Sequence, residues 1–409
     1  MRRHYSRRGF TLAELLVGLV VTSIVLVAVS AVVIGVQNSY QAETEVKVVA
    51  ESRRTALGYL ERVLPMVGYG VDPRIAIDVT PFSGVSTAGD YAGDNAAVAG
   101  VTGTVVTDEL RYRYRDPTFV NHGRIDSTSS PSTLTFDSPL SVALPAKTLL
   151  MLTCRGAAST FSVRLTDAVA AGASSAQVEL PQSTEPYRRS GFSYANSTDT
   201  CLQASGAASP WVYLVHEERL RVVNVAGRPW LVAYPNFTDD LVTNDSLTAD
   251  GGTFDPIAPD VENFQVSFTM NRPPATGPTY TPPDGASGNW IIGDMSGETN
   301  FLPGVLTGPQ YDTSYTDITR FTPANPANIR AVNVAFTVRT SRLEPTRRAA
   351  YPPASLFNYD AGTPPAVPDG YMRSVYRTVV YTPNLASRSF FNPTLRTSGD
   401  TRDFNTWGG

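Results

Sequence analysis

The chain has 409 residues, and only 17% of them are charged. Its 31 glycines and 31 prolines favour a body of short strands and turns over a body of long helices. The formal net charge of −4 is unlike that of a general nucleic-acid-binding protein, which needs a basic surface.

The N-terminal region combines a basic start with a long apolar run. Four arginines lie within the first eight residues, and Leu15 to Val36 contains no charged side chain. That length is sufficient for a helix to span a bilayer. By the positive-inside rule, the N-terminus stays in the cytoplasm and the rest of the chain is extracytoplasmic. The sequence therefore predicts a single-pass protein of the inner membrane.

Three kinds of N-terminal signal compete for this segment. An ordinary secretory signal, cut near Ala28 and Ser30, would have an unusually long apolar region and would leave Glu14 unexplained. A twin-arginine signal is imitated by Ser6 to Phe10, but the strong hydrophobicity and the acid argue against it. The third kind accounts for all of these residues.

Residues 9–17, GFTLAELLV, resemble the class III leader of type IV prepilins. The resemblance implies that a membrane-embedded prepilin peptidase cuts after Gly9 and that the new N-terminal residue, Phe10, is N-methylated. Loss of the leader would remove the four arginines, leaving 29 basic against 37 acidic side chains and a net charge of −8.

Glu14 is an acid inside an otherwise apolar helix. An ionised carboxylate is unfavourable in hydrocarbon unless it is paired or lies near the interface. The resemblance implies that Glu14 neutralises the α-amine of a neighbouring subunit in a filament core. The alternative, in which Glu14 only extends toward the membrane surface, remains open.

The apolar helix is predicted to continue beyond the membrane, because Gln37 to Leu64 contains no proline. Apolar residues near helical spacing predict one face that docks on a head domain. These residues are Val46, Val49, Ala50, Leu57, Leu60 and Leu64. The predicted organisation is a cleaved leader (1–9), a transmembrane and assembly helix (10–36), its continuation (37–64) and an extracytoplasmic head (65–409).

The head is predicted to be an antiparallel sheet, because apolar and polar residues alternate in several short segments. The predicted strands are 109–115, 149–153, 161–165, 176–180, 211–234 with a turn at Ala226 and Gly227, 261–270, 329–340 and 373–382. Polar stretches rich in Pro and Gly near 80–105 and 271–328 are predicted to be insertions. The fold class is therefore α+β, with a long N-terminal helix packed on an antiparallel sheet.

Later segments extend the resemblance to about a third of the chain. ERVLPMVGYG (61–70), IAPDVENFQVSF (257–268), IRAVNVAFTVRTSR (329–342) and YRTVVYTPNLASR (376–388) are similar to the PilW family of minor pilins. That family is related to the J-type minor pseudopilin of type II secretion.

The resemblance implies a type IV pilin-like fold and a role in assembly. A PilW-like protein would join other minor pilins and the major pilin through its N-terminal helix, in a complex that primes pilus growth and then caps the fibre. It would contact a PilY-type tip adhesin and support adhesion and twitching motility. A pseudopilin at the tip of a type II secretion pseudopilus is the alternative, since it shares every motif above.

Cys154 and Cys201 are the two cysteines of the chain, and they would lie in an oxidising compartment. A bridge between them would stabilise the head by about 4 kcal/mol in the chain-entropy model. Two unpaired thiols are the alternative.

No catalytic motif is evident. His4 is in the leader, and neither His122 nor His216 belongs to a nucleophile or metal motif. His216 to Glu218 is predicted to be a solvated strand face or a hairpin. The acids of Asp239 to Asp255 lack the alternating ligand spacing of an EF-hand. We therefore expect no enzyme activity, no metal, no cofactor and no nucleic-acid partner.

Overall fold

The computed structural model describes residues 11–71, 76–78, 94–95, 107–126, 132–153, 160–179, 200–203, 205–225, 228–234, 254–271, 291–292, 329–342 and 370–386. The chain divides into two compact units, residues 1–51 and 52–409. One helix, α1 (Leu12–Val63), begins in the first unit and ends in the second.

Helix α1 has 52 residues and no interior proline, so its backbone hydrogen-bond ladder is uninterrupted. It ends in a 3₁₀ turn, Leu64–Met66, with Pro65 near the start of that turn. Gly68 and Gly70 follow with φ of 75° and 63°, a region that favours glycine. The predicted end of the helix near Leu64 is confirmed.

In the second unit, α1 and the 3₁₀ turn that follows it have a buried row with a spacing of four residues: Ser52, Ala56, Leu60 and Leu64. Leu60 and Leu64 were predicted to be buried, and that prediction is confirmed. Ala50 and Val46 were predicted to share the same buried face, and that prediction is wrong because both are exposed. Ala50 lies off the four-residue row, and Val46 lies in a part of the helix whose surface is mostly exposed.

The described strands are β1 (Ile77–Asp78), β2 (Asp94–Asn95), β3 (Thr107–Asp108), β4 (Leu110–Ile125), β5 (Ser132–Phe136), β6 (Leu149–Thr153), β7 (Thr160–Leu165), β8 (Ser175–Glu179), β9 (Trp211–Val225), β10 (Arg228–Tyr234), β11 (Asp255–Pro259), β12 (Val261–Met270), β13 (Ile291–Ile292), β14 (Ile329–Arg339) and β15 (Arg373–Tyr381). Short 3₁₀ turns lie at Thr200–Gln203 and Gly206–Ala208, and a four-residue helix, α2 (Pro383–Ala386), follows β15.

The first sheet has nine strands in the order β1-β4-β5-β8-β7-β6-β9-β10-β11, with an additional pairing between β4 and β9. That pairing closes six of the strands, β4-β5-β8-β7-β6-β9, into an antiparallel barrel. The barrel has an apolar interior formed by residues including Ile125, Leu134, Leu152, Val163 and Val212. Closure removes free edges from the strands that form the ring.

Gly123 of β4 lies in this barrel where the chain is closely packed. A Cβ at this position would lie 2.8 Å from the backbone oxygen of Thr135 on β5. The pairing of β4 with β5 therefore depends on a residue without a side chain.

The same two long strands also belong to an open sheet, β1-β4-β9-β10-β11. The register between β4 and β9 shifts between Arg115 and Val120, where β4 passes from the open sheet into the barrel. Asp116 stabilises this bulge by accepting hydrogen bonds from the backbone N–H groups of Thr118 and Phe119 at 2.7 and 3.1 Å.

A second sheet has four strands in the order β13-β12-β14-β15. The end of α1 contacts both sheets. The guanidinium of Arg53 lies 4.2 Å from the ring centroid of Tyr376 on β15, and the hydroxyl of Tyr59 donates to Glu218 on β9 at 3.3 Å. A long N-terminal helix packed on antiparallel sheet is thus confirmed as the fold class.

The hairpin over 211–234 and the strands near 149–153, 161–165, 176–180, 261–270, 329–340 and 373–382 are confirmed. The strand predicted at 109–115 extends to Ile125, and the strands β1, β2, β3, β5, β11 and β13 were missed. The predicted insertions, 80–105 and 271–328, lie almost entirely outside the described residues, so they stay predictions.

Candidate functional site

The first half of α1 presents a continuous apolar surface. From Leu12 to Val36 every large hydrophobic side chain is exposed, with exposed fractions from 46% at Val33 to 81% at Leu12. Among the described residues, one helix is long and apolar enough to cross a membrane, and none of its most apolar stretch is buried by the rest of the chain. A surface of this kind needs lipid or partner helices around it.

Glu14 caps the start of this helix. Its Oε2 atom accepts hydrogen bonds from the backbone N–H and the hydroxyl of Thr11, at 2.9 and 3.0 Å. The backbone N–H of Glu14 donates in return to the Thr11 hydroxyl at 3.3 Å. This reciprocal pattern is a capping box, which satisfies N–H groups that a helix start leaves without partners.

Sequence reasoning missed this role, although the Thr-x-x-Glu spacing of residues 11–14 was visible. The capping box gives Glu14 a reason to be present that does not require a second subunit. The capping box does not exclude pairing with a second subunit, because Oε2 accepts both hydrogen bonds from Thr11. Within the described part of the chain, Oε1 accepts no hydrogen bond.

Gly9 and Phe10 lie outside the described residues, so cleavage and N-methylation at these positions stay predictions. Cys154 also lies outside them, and Cys201 is described only as part of the 3₁₀ turn Thr200–Gln203. The predicted bridge therefore stays a prediction. Measuring the intact mass after alkylation without reduction decides it, since two alkylated thiols would reject the bridge.

Three tyrosines converge on Glu218 where α1 meets the first sheet. Tyr59 of α1 donates to Oε2 at 3.3 Å, Tyr114 donates to Oε1 at 2.6 Å, and Tyr112 also donates to Oε2. Burial and the negative charge of Glu218 raise the pKa of all three hydroxyls, so they remain donors. The cluster fixes the end of the helix to the sheet.

The neighbouring residue, Glu217, points to the other face of β9 and is buried between two arginines. Arg113 Nε donates at 2.8 Å, and Arg164 donates through Nη1 and Nη2 at 2.6 and 2.9 Å. Burial alone would raise the pKa of Glu217, but the two guanidinium groups lower it below its usual value. Because Arg164 belongs to β7, this centre joins the barrel to the open sheet.

His216 lies on the same face of β9 as Glu218. Its Nε2 is 3.0 Å from Asp116 Oδ2, and its ring stacks on Tyr114 with centroids 5.0 Å apart. Partial burial alone would raise the pKa of Asp116, but hydrogen bonds from Thr118, His216 and the backbone lower it to about 2.

The prediction that His216 to Glu218 form a solvated strand face or a hairpin is wrong for Glu217, which is 2% exposed. The segment is the middle of strand β9, and His216 and Glu218, on the opposite face from Glu217, are half-buried. The described residues bring together no group of three His, Cys, Asp or Glu side chains that could hold a metal ion. Most of the acidic segment Asp239 to Asp255 lies outside the described residues.

Residues 5–30 match the prokaryotic N-terminal methylation motif. A type IV-like pilin from Thermus thermophilus is similar in structure, with 12% sequence identity, a TM-score of 0.25, and coverage of 82% of this chain and 97% of that chain. No curated protein matches the sequence significantly. The motif confirms a prepilin-type methylation signal at the N-terminus. Together with the exposed apolar helix, that signal indicates membrane anchoring.

Proposed function

We propose that this chain is a minor pilin of the PilW type, which joins other minor pilins in a complex that primes type IV pilus assembly. The observation that carries the proposal is the methylation motif at residues 5–30, followed by a helix whose apolar surface is uncovered. In water that surface would aggregate, but in a membrane it spans, and in a filament it packs against the same helix of other subunits.

The minor role, as opposed to that of a major subunit, is supported by the head. A subunit that packs thousands of identical copies has little room for irregular insertions, whereas the sequence of this head predicts two insertions, rich in Pro and Gly, near 80–105 and 271–328. The proposed partners are other minor pilins and the major pilin through the N-terminal helix, and a PilY-type adhesin at the fibre tip. Adhesion and twitching motility would follow from that assembly.

Processing is tested at the predicted cut. Gly9→Arg changes the residue before the scissile bond, so we expect the precursor to stay uncleaved and membrane-held. N-terminal sequencing of the membrane fraction measures this. A mature chain that still begins at N-methylated Phe10 would contradict the prepilin assignment.

Assembly is tested at Glu14. Because Glu14 belongs to a capping box, substitution by glutamine separates the effect of its charge from that of the cap, which substitution by alanine alone does not. Glu14→Gln keeps a side-chain oxygen for the Thr11 hydrogen bonds but removes the charge, because glutamine also serves in a capping box. If the carboxylate pairs with the α-amine of a neighbouring subunit, both Glu14→Gln and Glu14→Ala should lose copurification with partner pilins and reduce surface pili.

The two variants should still be inserted in the membrane and cleaved after Gly9, because neither changes the scissile bond. Thr11→Ala is the matched control, since it weakens the cap and leaves the charge. Assembly in Glu14→Gln at the wild-type level, with loss in both Glu14→Ala and Thr11→Ala, would show that Glu14 only caps the helix.

A further inference from the structure

Strand β15 is the outermost strand on one side of the second sheet, and it lacks the features that protect the other outer strands of the first and second sheets. Among the described residues, β1 and β13 have two residues each. Strand β11 contains two prolines, and its register with β10 shifts between Leu231 and Val232. Short strands, prolines and bulges prevent a sheet edge from pairing with another chain. Strand β15 has nine residues, no proline and a regular register with β14.

The backbone of β15 directs half of its hydrogen-bonding groups away from β14. The N–H of Thr382, just after β15, donates to the C=O of Arg330 on β14 at 3.0 Å. Because hydrogen-bonded positions alternate along an antiparallel pair, the even-numbered residues of β15 bond to β14 and the odd-numbered residues direct their N–H and C=O groups outward. In the part of the chain that the structure describes, these outward groups of Val375, Val379 and Tyr381 have no hydrogen-bond partner.

The odd-numbered residues at the end of β15 also have exposed side chains. Arg377 is exposed, Val379 is 46% exposed, and Tyr381 is 72% exposed. Alternate residues of a strand share one face, so these three side chains lie side by side. Tyr376 lies on the opposite face, where it contacts Arg53 of α1. An exposed strand edge that carries apolar and aromatic side chains is a template for pairing with another strand.

We infer that β15 pairs antiparallel with β15 of a second copy of this chain, about a two-fold axis at Val379. In this register Val379 lies opposite Val379 of the second copy, and Arg377 lies opposite Tyr381 of the second copy. Both pairs are favourable, because β-branched residues pack well across strands and a guanidinium is attracted to the face of a tyrosine ring. The same strand serves both copies, so the interface is isologous and closed.

The side chains of β15 select this register over its neighbours. A two-fold axis at Arg377 would place two guanidinium groups directly opposite each other, which is unfavourable. An axis at Thr378 would place Arg377 opposite Val379, so that the guanidinium faces no ring. An axis at Tyr381 would place Val379 opposite Pro383, which has no N–H and begins α2. The axis at Val379 is therefore the one that satisfies both the charge and the backbone.

The paired segment is short, because it extends only from Arg377 to Tyr381 before Pro383 ends the ladder on each copy. A contact of this length buries little surface compared with a standard interface, so we expect the pairing to be weak and reversible. Anchoring of both copies in one membrane raises their effective concentration. Covalent trapping is therefore the suitable measurement. The inference concerns the edge of the second sheet and does not depend on the role proposed for the N-terminal helix.

The test uses the full-length mature chain in membrane vesicles, with one cysteine introduced on the proposed axis. In Val379→Cys the two Cα atoms would be about 5.5 Å apart, which is within the range that a disulfide spans. Mild oxidation should give several-fold more disulfide-linked dimer than in the control. Val142→Cys is the matched control, because Val142 is also 46% exposed and lies outside β15. The unsubstituted chain, oxidised in the same way, gives the contribution of Cys154 and Cys201.

The register is tested by expressing Arg377→Cys and Tyr381→Cys together, each with a different tag. The two variants should crosslink to each other, because these positions lie opposite across the axis. Each variant alone should give little dimer, since its two cysteines would be about 13 Å apart along the strands. Addition of Val379→Lys to both variants should remove the crosslink, because two ammonium groups would then meet at the axis.

Circular dichroism should show the same fold in all variants. Absence of dimer in Val379→Cys, or an equal amount of dimer in Val379→Cys and Val142→Cys, overturns the inference. A crosslink between Arg377→Cys and Tyr381→Cys that survives Val379→Lys also overturns it. Mass spectrometry identifies the crosslinked product of Val379→Cys, and a product that contains a different protein in place of the second copy overturns the inference as well.

Discussion

Strands β4 and β9 run through two regions of the first sheet that are held together by different interactions. In the barrel, their side chains meet an interior of Leu, Val, Ile and Phe. In the open sheet, the same strands bury an acid, Glu217, between Arg113 and Arg164. One pair of strands therefore depends on apolar packing at one end and on matched charges at the other.

The difference matters for how each region responds to change. Apolar packing is lost in proportion to the volume removed, and it does not depend on pH. A buried ion pair fails when either partner is removed, because the remaining charge stays buried without compensation. We therefore expect the open sheet to be the more sensitive region to single substitutions and to acid.

The largest effect is expected from Glu217→Ala, which leaves two buried guanidinium groups without their shared carboxylate. Loss of one partner from a buried pair lowers the free energy of unfolding by about 3–5 kcal/mol. Urea unfolding in detergent, followed by circular dichroism, measures the change.

The control for Glu217→Ala is Glu179→Ala on β8. Glu179 accepts from Lys147 at 3.2 Å, but both side chains are more than two-fifths exposed, at 47% and 43%. An exposed pair contributes about 1 kcal/mol or less. Equal losses in the two variants would contradict the role assigned to the buried centre.

The second effect tests the barrel. Leu152→Ala removes a fully buried side chain from its interior, and we expect a loss of about 2–5 kcal/mol from the transfer and cavity terms. Val142→Ala, at a position that is 46% exposed, should change stability by about 0.5 kcal/mol or less. A loss in Leu152→Ala as small as in this control would show that the barrel interior is loosely packed.

The barrel was the least predictable part of the fold. The strand predicted at 109–115 was ended too early, because Pro117 and Gly123 interrupt its alternation. In the structure Pro117 lies in the bulge between the two paired segments, where no ladder hydrogen bond is lost. Closure of the barrel depends on the pairing of β4 with both β5 and β9, and a local sequence pattern does not predict such a pairing.

Strand β11 was missed for a related reason. Asp255–Pro259 contains two prolines, which argue against a strand in a sheet interior. The segment is the edge strand of the first sheet, where one side needs no partner. The predicted strands that were confirmed, such as 261–270 and 329–340, have long alternating or apolar sequences without proline.

The charged centre could be predicted only in part. Both faces of β9 contain apolar and charged residues, so the sequence does not show which face is exposed to solvent. A signal was present in the register: Arg113 lies opposite Glu217, which is a favourable cross-strand pair. Arg164 could not be placed there from sequence, because it reaches Glu217 from another strand of the barrel. The prepilin motif, in contrast, is contiguous and was readable at once.

A third, smaller effect is expected where the helix meets the open sheet. Tyr114→Phe removes the hydrogen bond of 2.6 Å to the Glu218 carboxylate, and hydrogen bonds to charged groups contribute about 1.5–3 kcal/mol. Tyr381→Phe, at a residue that is 72% exposed, is the control and should have no measurable effect. Unchanged unfolding of Tyr114→Phe would show that the tyrosine cluster does not stabilise this junction.

The smallest effect is expected at the bulge between the two regions, and it is a pH dependence. The pKa of Asp116 is lowered from an ordinary value of 3.8 to about 2 in the folded protein. A group with a lowered folded-state pKa stabilises the fold above its unfolded-state pKa, and this contribution is lost as the pH falls through the folded-state pKa. The contribution of Asp116 should thus be complete above about pH 4 and absent below about pH 2.

Asp116→Asn removes this titration while keeping a side-chain oxygen for the bulge. The variant should be slightly less stable than the wild type at pH 7, and the difference should shrink as the pH falls from about 4 to about 2, because the wild-type acid becomes neutral there. Leu152→Ala provides the contrast, since a loss of apolar packing should differ from the wild type by the same amount at both ends of this range. If the Asp116→Asn difference also stays constant, Asp116 acts through shape and not through charge. The barrel and the open sheet would then differ in the side chains that they bury, but the bulge that joins them would not lose stability in acid.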